Sequence, residues 1–435
     1  MGISYLKFTV FLITVSVIGF ATYLLLNQLD LTAPPSYYTL SICPESSHFG
    51  FLSLPLPELF EYEESIITDL PISWLRLVAG PFVWNIVESV KGNYDFSVTD
   101  DRVKDAQNKG LYILPTIWPF AEWDQNYWKQ QTNWRETPGE FSEFGIPKSR
   151  YKPHDVEAYK QFIEAMVERY DGDGKDDMPN LRYPIKYWEV ANEPSHDAYF
   201  LGTTKDYFDV LKATYEAVKS ADPEAKVLVG APAPEQESKF WNELIELGGG
   251  EYFDIANIHQ VPSEIESSAF FINDILGEHG FEKPIWVTES GNPFAKDEDK
   301  QAENLVKGYV AGFSNGVERV FYNLYKTFPM IEGKEKISGQ ALIDKGRKKP
   351  IYYAMHTIIE KLDCFTSVKK LSDGQYKFIV ENRSVYVLWG NESIPPEITG
   401  TVTVTSINGQ SQKVDVEDIV LTDTPIFVEV ENYEE

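Results

Sequence analysis

Two stretches of this 435-residue chain each place a glutamate just past a run of strand-forming residues. The first is Trp-Glu-Val-Ala-Asn-Glu-Pro, residues 188–194, in which the carboxamide of Asn192 precedes the carboxylate of Glu193. Its proline cannot continue a central ladder, so the strand must end there. The second is Val-Thr-Glu-Ser-Gly, residues 287–291, and it carries Glu289. Two carboxylates that face each other across a site can act as proton donor and as nucleophile or base.

The segments around these glutamates alternate between short apolar runs and helix-like stretches, which predicts β/α units and a parallel sheet. Eight strands are predicted, over residues 48–53, 74–78, 111–117, 185–190, 226–230, 253–259, 285–288 and 319–324. Asp155 is predicted to cap one of the helices, and another ends at Asn315-Gly316. Eight such units predict a (β/α)8 TIM barrel, in which working residues lie at the C-terminal ends of the strands. Glu193 follows the fourth strand and Glu289 follows the seventh, so both are expected at one mouth.

Beyond a last helix over residues 352–362 the apolar period changes to two. Runs at 376–380, 385–389, 401–404 and 426–430 are separated by turn signals, which predicts a small C-terminal antiparallel β-sandwich-like domain. Its role is either to stabilise the barrel or to bind glycan, and we expect the first, because a domain this small buries little apolar surface alone. The predicted domains are therefore residues 1–40, 41–362 and 363–435.

Residues 8–26 carry no charge and are long enough to span a bilayer as a helix. Lys7 precedes them and the next basic residue is Arg76, which places the N-terminus inside. We therefore expect an uncleaved transmembrane helix, acting as a signal anchor, a short stalk over 27–40, and an extracytoplasmic remainder. Gly19-Phe20-Ala21 leaves open the alternative of a cleaved signal peptide and secretion.

Composition excludes some classes of function. A net charge of -28, from 67 acidic and 39 basic residues, argues against nucleic acid as a partner. Two cysteines cannot form a disulfide framework or a cysteine-based zinc site, although a single bridge between Cys43 and Cys364 stays open. No cofactor is expected, and the oligomeric state is open.

The motifs resemble those of the clan A glycoside hydrolases. The segment around Glu193 looks like the Asn-Glu-Pro motif of that clan's acid/base strand, and the segment around Glu289 looks like its nucleophile strand. Trp-Leu-Arg-Leu, residues 74–77, is similar to the strand that carries the clan's arginine, here Arg76. The resemblance covers roughly residues 44–350. Gly-Asn-Tyr-Asp-Phe-Ser, residues 92–97, resembles β-xylosidase-like and β-galactosidase-like members, in the neighbourhood of families 39 and 5.

The resemblance implies a retaining mechanism on a β-linked glycan. Glu193 would protonate the leaving oxygen and later deprotonate water, while Glu289 would attack the anomeric carbon, with carboxyl groups about 5–5.5 Å apart. The negative charge of Glu289 is expected to raise the pKa of Glu193. Arg76 would favour the charged form of Glu289, and Asn192 would bind the sugar 2-hydroxyl. The alternatives are an inactive barrel that binds carbohydrate and a transglycosylase; the sugar, the linkage and endo or exo action stay open.

Further candidates surround this pair. His259, at the end of the sixth strand, would contact substrate or be a satisfied structural histidine, and Glu189 is interpreted as part of a structural ion pair. The aromatic loop after strand three offers Trp118 and Trp123 for stacking on sugar, unless they pack the loop. Trp84 and Glu122 are weaker candidates. Asp171, Asp173 and Asp177 partly match an oxygen-ligand calcium loop, but a solvated acidic turn is favoured and no metal site is predicted.

Overall fold

The computed structural model describes residues 43–53, 69–138, 141–292, 296–323 and 339–430. Eight parallel strands form one sheet in the order β5-β4-β3-β2-β1-β8-β7-β6, and a parallel bridge between Leu228 and Ile255 joins its two edges. The (β/α)8 barrel predicted from the sequence is therefore confirmed. The strands are β1 Phe49–Ser53, β2 Trp74–Leu77, β3 Tyr112–Ile117, β4 Tyr187–Val190, β5 Lys226–Val229, β6 Ala256–Gln260, β7 Ile285–Ser290 and β8 Val317–Tyr322.

Helices surround the sheet, and two of them begin at side chains that cap their first turn. The Asp155 side chain accepts a hydrogen bond from the Ala158 amide and begins one helix, and Thr203 forms a reciprocal capping box with Asp206 at the start of the next. The helices are α1 Trp84–Val87, α2 Ser97–Asn108, α3 Glu122–Gln125, α4 Val156–Glu168, α5 Thr204–Ala221, α6 Glu237–Glu246, α7 Ile265–Glu278, α8 Glu298–Ser314 and α9 Pro350–Leu362.

The side chains inside the barrel lie in layers, because every second residue of each strand points inward. Aromatic and aliphatic side chains close the floor: Trp74, Leu114, Leu228, Ile255, Trp286 and Phe321. Arg319 lies between the Trp74 and Trp286 rings, 3.9 and 4.3 Å from their centroids. Because side chains two positions apart share a face of a strand, Arg76 lies one layer above Trp74, and Thr288 one layer above Trp286. The packed floor thus supports a polar layer at the C-terminal mouth.

The C-terminal region forms one six-stranded antiparallel sheet rather than two packed sheets. Its strand order is β11-β12-β13-β16-β14-β15, and a small two-stranded ribbon of β9 and β10 precedes it. The strands are β9 Ile343–Asp344, β10 Arg347–Lys348, β11 Phe365–Ser372, β12 Gln375–Val380, β13 Arg383–Leu388, β14 Thr401–Ser406, β15 Ser411–Asp415 and β16 Ile426–Glu429. The antiparallel domain is confirmed, and β11 and β15 are additions to the four strands predicted.

This sheet is attached to the barrel helices through charged contacts. Lys361 of α9 pairs with Glu429 of β16 at 2.7 Å, and the Thr424 hydroxyl donates to Glu303 of α8 at 2.6 Å. These contacts join the sheet to α8 and α9, and its stabilising role stays a prediction.

The predicted transmembrane helix requires a correction to the fold class. Among the described residues, no helix combines the length and apolar character needed to cross a bilayer. The longest, Thr204–Ala221 with 18 residues, is amphipathic and carries lysine, aspartate and glutamate side chains. The predicted span at 8–26 and the stalk at 27–40 lie outside the described residues.

A disulfide joins Cys43 to Cys364, which settles the question that the sequence left open. The bridge links the segment before β1 to the junction of α9 and β11, across 321 residues of chain. Asp363 beside it accepts hydrogen bonds from the Ser47 hydroxyl at 3.0 Å and the His48 amide at 2.8 Å. The N-terminal entry to the barrel is therefore fixed to the start of the C-terminal sheet.

Replacing both cysteines, Cys43→Ser with Cys364→Ser, is expected to lower the free energy of unfolding by about 2–4 kcal/mol, because the bridge restricts a very long loop of the unfolded chain. Urea unfolding followed by tryptophan fluorescence measures the change. The matched control is reduction of the unsubstituted protein, which should lower its midpoint to that of the double variant. An unchanged midpoint in the double variant would contradict the prediction.

Candidate active site

The end of β4 is bent sharply, and the bend presents two polar side chains to the barrel mouth. Ala191 and Glu193 both have positive φ angles, 64° and 40°, a region that costs non-glycine residues energy and that is concentrated at functional sites. Gly230, directly after the neighbouring strand β5, makes room for the bend, since a Cβ there would lie 2.4 Å from the Val190 carbonyl oxygen. Asn192 and Glu193 are thus displayed by a strained turn supported from the next strand.

Arg76, which is fully buried, reaches three groups of the site from β2. Its Nε donates to Glu189 at 2.8 Å, and its Nη2 donates to Asn192 Oδ1 at 2.7 Å. Its Nη1 lies 3.4 Å from Glu289 Oε2. The planar guanidinium therefore ties the β4 turn to the end of β7 in a fixed geometry.

Glu189 lies beneath the site and receives hydrogen bonds from four directions. Besides Arg76, it accepts from Asn257 Nδ2 at 2.8 Å, from the Thr288 hydroxyl at 2.7 Å and from the Thr116 hydroxyl. Burial raises the pKa of Glu189, but the charge and hydrogen bond of Arg76, the charge of His259 and the hydrogen bond from Thr116 together lower it more, so the net shift is downward. The side chain is a buried carboxylate ion paired with Arg76, as the sequence interpretation expects.

Glu289 is held from both sides at the end of β7. Arg76 approaches Oε2, and Asn323 Nδ2 donates to Oε1 at 2.6 Å. The side chain is 29% exposed, so the carboxylate is accessible from the barrel mouth. Sequence reasoning missed Asn323, although its position directly after β8 could have identified it, since polar residues at strand ends line the mouth of such a barrel.

Glu193 faces His259 rather than Arg76. Its Oε1 lies 3.0 Å from His259 Nδ1, and its side chain is 18% exposed. Burial raises the pKa of Glu193. The hydrogen bond and charge of His259 and the charge of Arg76 lower it by more than burial raises it, so the pKa lies below its ordinary value. The upward shift in pKa expected from Glu289 alone is therefore wrong, because that expectation left out His259 and Arg76.

His259 links Glu193 to the polar layer below. Its ring is 2% exposed, and its Nε2 lies 3.0 Å from the Thr288 hydroxyl. A register shift between Ile258 and His259 in the β6–β7 pairing accompanies this placement. His259 thus contacts Glu193, the carboxylate that the resemblance assigns to acid/base work, and it is almost fully buried.

The aromatic candidates lie around the loop after β3. Trp118 is 1% exposed and donates to the Val78 carbonyl at 2.7 Å, so it is a packing residue in this structure. Trp123 is half-buried, donates to the Glu88 carbonyl at 2.9 Å and contacts Trp84 edge to face at 5.0 Å. Neither ring contacts the two candidate catalytic carboxylates, Glu193 and Glu289, in the contacts described.

Tyr199, which sequence reasoning missed, is close enough to both glutamates for their charges to affect its pKa. Burial raises its pKa, and the negative charges of Glu193 and Glu289 raise it further. Its ring packs against Trp118 and Phe141, with centroids 6.2 and 5.4 Å away. Its place six residues after Glu193 is the only signal the sequence offers, and that signal is weak.

The acidic turn at 171–177 brings Asp171, Asp173 and Asp177 together, with carboxylate oxygens within 4.8 Å of one another. These carboxylates accept hydrogen bonds from amides of the same turn, including Gly172 to Asp177 at 3.0 Å and Asp173 to Asp171 at 3.0 Å. The turn precedes β4, so it lies at the opposite end of that strand from Glu193. The three carboxylates are close enough to share one cation, so the solvated turn favoured from the sequence stays a prediction.

The substitution Arg76→Met is expected to lower the free energy of unfolding by about 3–5 kcal/mol, because it leaves the Glu189 carboxylate buried without its partner. Chemical unfolding of the purified variant measures the loss. The double variant Arg76→Met with Glu189→Gln removes the unpaired charge and should recover part of that stability. A single variant as stable as the unsubstituted protein would show that the ion pair does not support the fold.

Comparison with known proteins places this site within a familiar fold. No family model matches the chain. The β-galactosidase BgaA of Clostridium cellulovorans is 22% identical over 328 residues, covering 72% of this chain and 45% of that protein. The chain therefore spans about half the length of the curated relative it matches.

Several solved structures are similar over most of the chain. A family 39 glycoside hydrolase from Bacteroides cellulosilyticus has a TM-score of 0.62 at 16% identity, covering 90% of this chain and 82% of that one. A family 39 β-xylosidase from Caulobacter crescentus has a TM-score of 0.61 at 15% identity, covering 93% and 98%. At these identities the likeness shows the fold, and the resemblance to clan A glycoside hydrolases is confirmed at that level.

Proposed function

We propose that this protein is a retaining glycoside hydrolase that cleaves a β-linked glycan. The observation that carries the proposal is the pair of accessible glutamates at the barrel mouth, Glu193 and Glu289, which have different partners. His259 contacts the first, whereas Arg76 and Asn323 donate to the second. Two carboxylates in different surroundings can divide the roles of acid/base and nucleophile.

In the first step, Glu289 attacks the anomeric carbon while Glu193 gives a proton to the leaving oxygen, which forms a glycosyl-enzyme ester. In the second step, Glu193 takes a proton from water and the water oxygen displaces Glu289 from the anomeric carbon. Arg76 and Asn323 orient Glu289 for attack. Because Arg76 donates to Asn192 Oδ1, the Asn192 amide hydrogens are presented to the sugar 2-hydroxyl, a contact that strengthens in the transition state.

The named relatives suggest where to look for the substrate. One is a β-galactosidase and another a β-xylosidase, so β-galactosides and β-xylosides are the first compounds to assay. The disulfide between Cys43 and Cys364 supports action outside the cytoplasm, since such bridges persist in oxidising compartments.

The test is hydrolysis of aryl β-glycosides and of β-glucan, mannan, xylan and galactan by the purified full-length protein. Proton NMR of the product during the first minutes reports whether the β-anomer forms first, as retention requires. Initial release of the α-anomer would overturn the mechanism. Saturable binding of a glycan without turnover would instead favour an inactive, carbohydrate-binding barrel, and transfer to an added sugar acceptor in preference to water would favour a transglycosylase.

A further inference from the structure

A continuous row of hydrogen bonds runs from the buried Glu189 to Glu193 at the mouth. The Thr288 hydroxyl lies 2.7 Å from Glu189 Oε1, and His259 Nε2 lies 3.0 Å from the same hydroxyl. His259 Nδ1 then lies 3.0 Å from Glu193 Oε1. Three strands supply these groups, with β4 at the bottom and β6 and β7 alongside.

The direction of each bond in this row is fixed by the number of hydrogens available. Glu189 is a carboxylate that only accepts, so the Thr288 hydroxyl must donate its single hydrogen to it. That hydroxyl can then offer only a lone pair to the ring above. His259 Nε2 must therefore carry a hydrogen and donate it to Thr288, which determines the tautomer of the neutral ring.

The other ring nitrogen then has two favourable arrangements. In the neutral ring Nδ1 is an acceptor, which requires a protonated Glu193 as donor; in the charged ring Nδ1 donates to a Glu193 carboxylate. Either arrangement has one proton between His259 and Glu193. If that proton is absent, the lone pair of His259 Nδ1 faces the Glu193 carboxylate at 3.0 Å, and the two repel each other.

We propose that Thr288 and Glu189 are positioning residues that lock the tautomer of His259, so that the His259–Glu193 pair retains the one proton that catalysis delivers to the leaving group. This inference rests on the proposed glycosidase function and adds the source of its proton. When that proton passes from Glu193 to the glycosidic oxygen, the Nδ1 lone pair is left facing the new carboxylate. The repulsion makes Glu193 a stronger base for the water that completes the second step.

Other charged or titratable groups face this pair, but the described contacts give none of them a hydrogen bond to the ring. Glu189 and Arg76 are paired with each other below it. Two others lie on the segment after β4: His196, whose charge lowers the pKa of Glu193, and Tyr199, whose own pKa is raised by the charges of Glu193 and Glu289. Neither changes which ring nitrogen of His259 faces Thr288.

The substitution Thr288→Val tests whether the Thr288 hydroxyl fixes the tautomer of His259, because it removes the hydroxyl and keeps the branched shape of the side chain. The neutral ring could then move its hydrogen to Nδ1 and donate to a Glu193 carboxylate, a state that has lost the shared proton. The basic limb of the kcat/KM profile is therefore expected to shift to lower pH by about one unit. Thr288→Ser keeps the hydroxyl and should restore the limb of the unsubstituted enzyme.

A second readout does not depend on activity. In protein labelled with ¹⁵N-histidine, the Nε2 resonance of His259 should remain that of a protonated nitrogen throughout the pH range of activity. Its signals are assigned by their loss in His259→Gln. An unprotonated Nε2 would overturn the proposal, as would a basic limb left in place by Thr288→Val. A protein without glycosidase activity would refute the proposed function, while the NMR result would still decide the tautomer.

Discussion

Replacing Glu289 by glutamine is expected to lower kcat by about 10⁴-fold or more on every substrate, because a carboxamide cannot form the glycosyl-enzyme ester. The substitution keeps the size of the side chain and an oxygen that can accept from Asn323, so the fold should be unaffected. Turnover of an aryl β-glycoside measures the loss. Glu224→Gln, a change of the same chemistry at an exposed residue in the turn before β5, is the matched control and should leave kcat unchanged.

A shorter side chain at the same position identifies the role of the carboxylate. In Glu289→Ala, added azide can enter the vacated space and attack the anomeric carbon directly. The product should be the α-glycosyl azide, with inverted configuration. A Glu289→Gln variant whose kcat remains within tenfold of the unsubstituted enzyme would rule out Glu289 as the nucleophile.

The substitution Glu193→Ala is expected to lower kcat/KM by about 10²–10⁴-fold on glycosides with poor leaving groups, the range that general acid catalysis supplies. Dinitrophenyl glycosides should be affected much less in the bond-breaking step, because their leaving group departs without a proton. The comparison of alkyl, phenyl and dinitrophenyl glycosides measures this dependence. The basic limb of the pH profile should disappear in the variant, since the His259–Glu193 pair no longer exists.

Azide separates this role from that of Glu289. In Glu193→Ala, azide should accelerate turnover of the accumulated glycosyl-enzyme and yield the β-glycosyl azide, with retained configuration. Equal losses on alkyl and dinitrophenyl glycosides would show that Glu193 does not act as the proton donor. An α-azide from this variant would require the two glutamates to exchange roles.

The fold was largely predictable because the barrel strands are short apolar runs that alternate with capped helices. Two strands of the C-terminal sheet that sequence reasoning missed, Phe365–Ser372 and Ser411–Asp415, lie at its two edges and expose most of their side chains. They carry Lys369, Lys370 and Lys413, so the apolar alternation that marks a half-buried strand is absent. The sequence pattern is informative only where burial imposes it.

The site was predictable to the level of strand ends and no further. Parallel strands share a mouth, so Arg76, Asn192 and Glu289 could be expected to meet whatever their separation in sequence. Their partners could not be deduced, because contacts such as Asn323 to Glu289 depend on register and rotamer. The downward pKa shift of Glu193 could not be deduced either, since it depends on His259 Nδ1 lying 3.0 Å from the carboxylate.

The position of Glu189 has a consequence for how this site can diverge. One buried carboxylate accepts from Arg76, which contacts the proposed nucleophile Glu289, and from Thr288, which contacts the His259 ring of the proposed acid/base pair. A change at any of the three therefore disturbs both halves of the reaction, and a tolerated change requires a compensating one. New substrate preferences are expected to arise instead through residues such as Tyr199, which lies near both glutamates but has no described hydrogen bond to Glu189, Arg76 or Thr288.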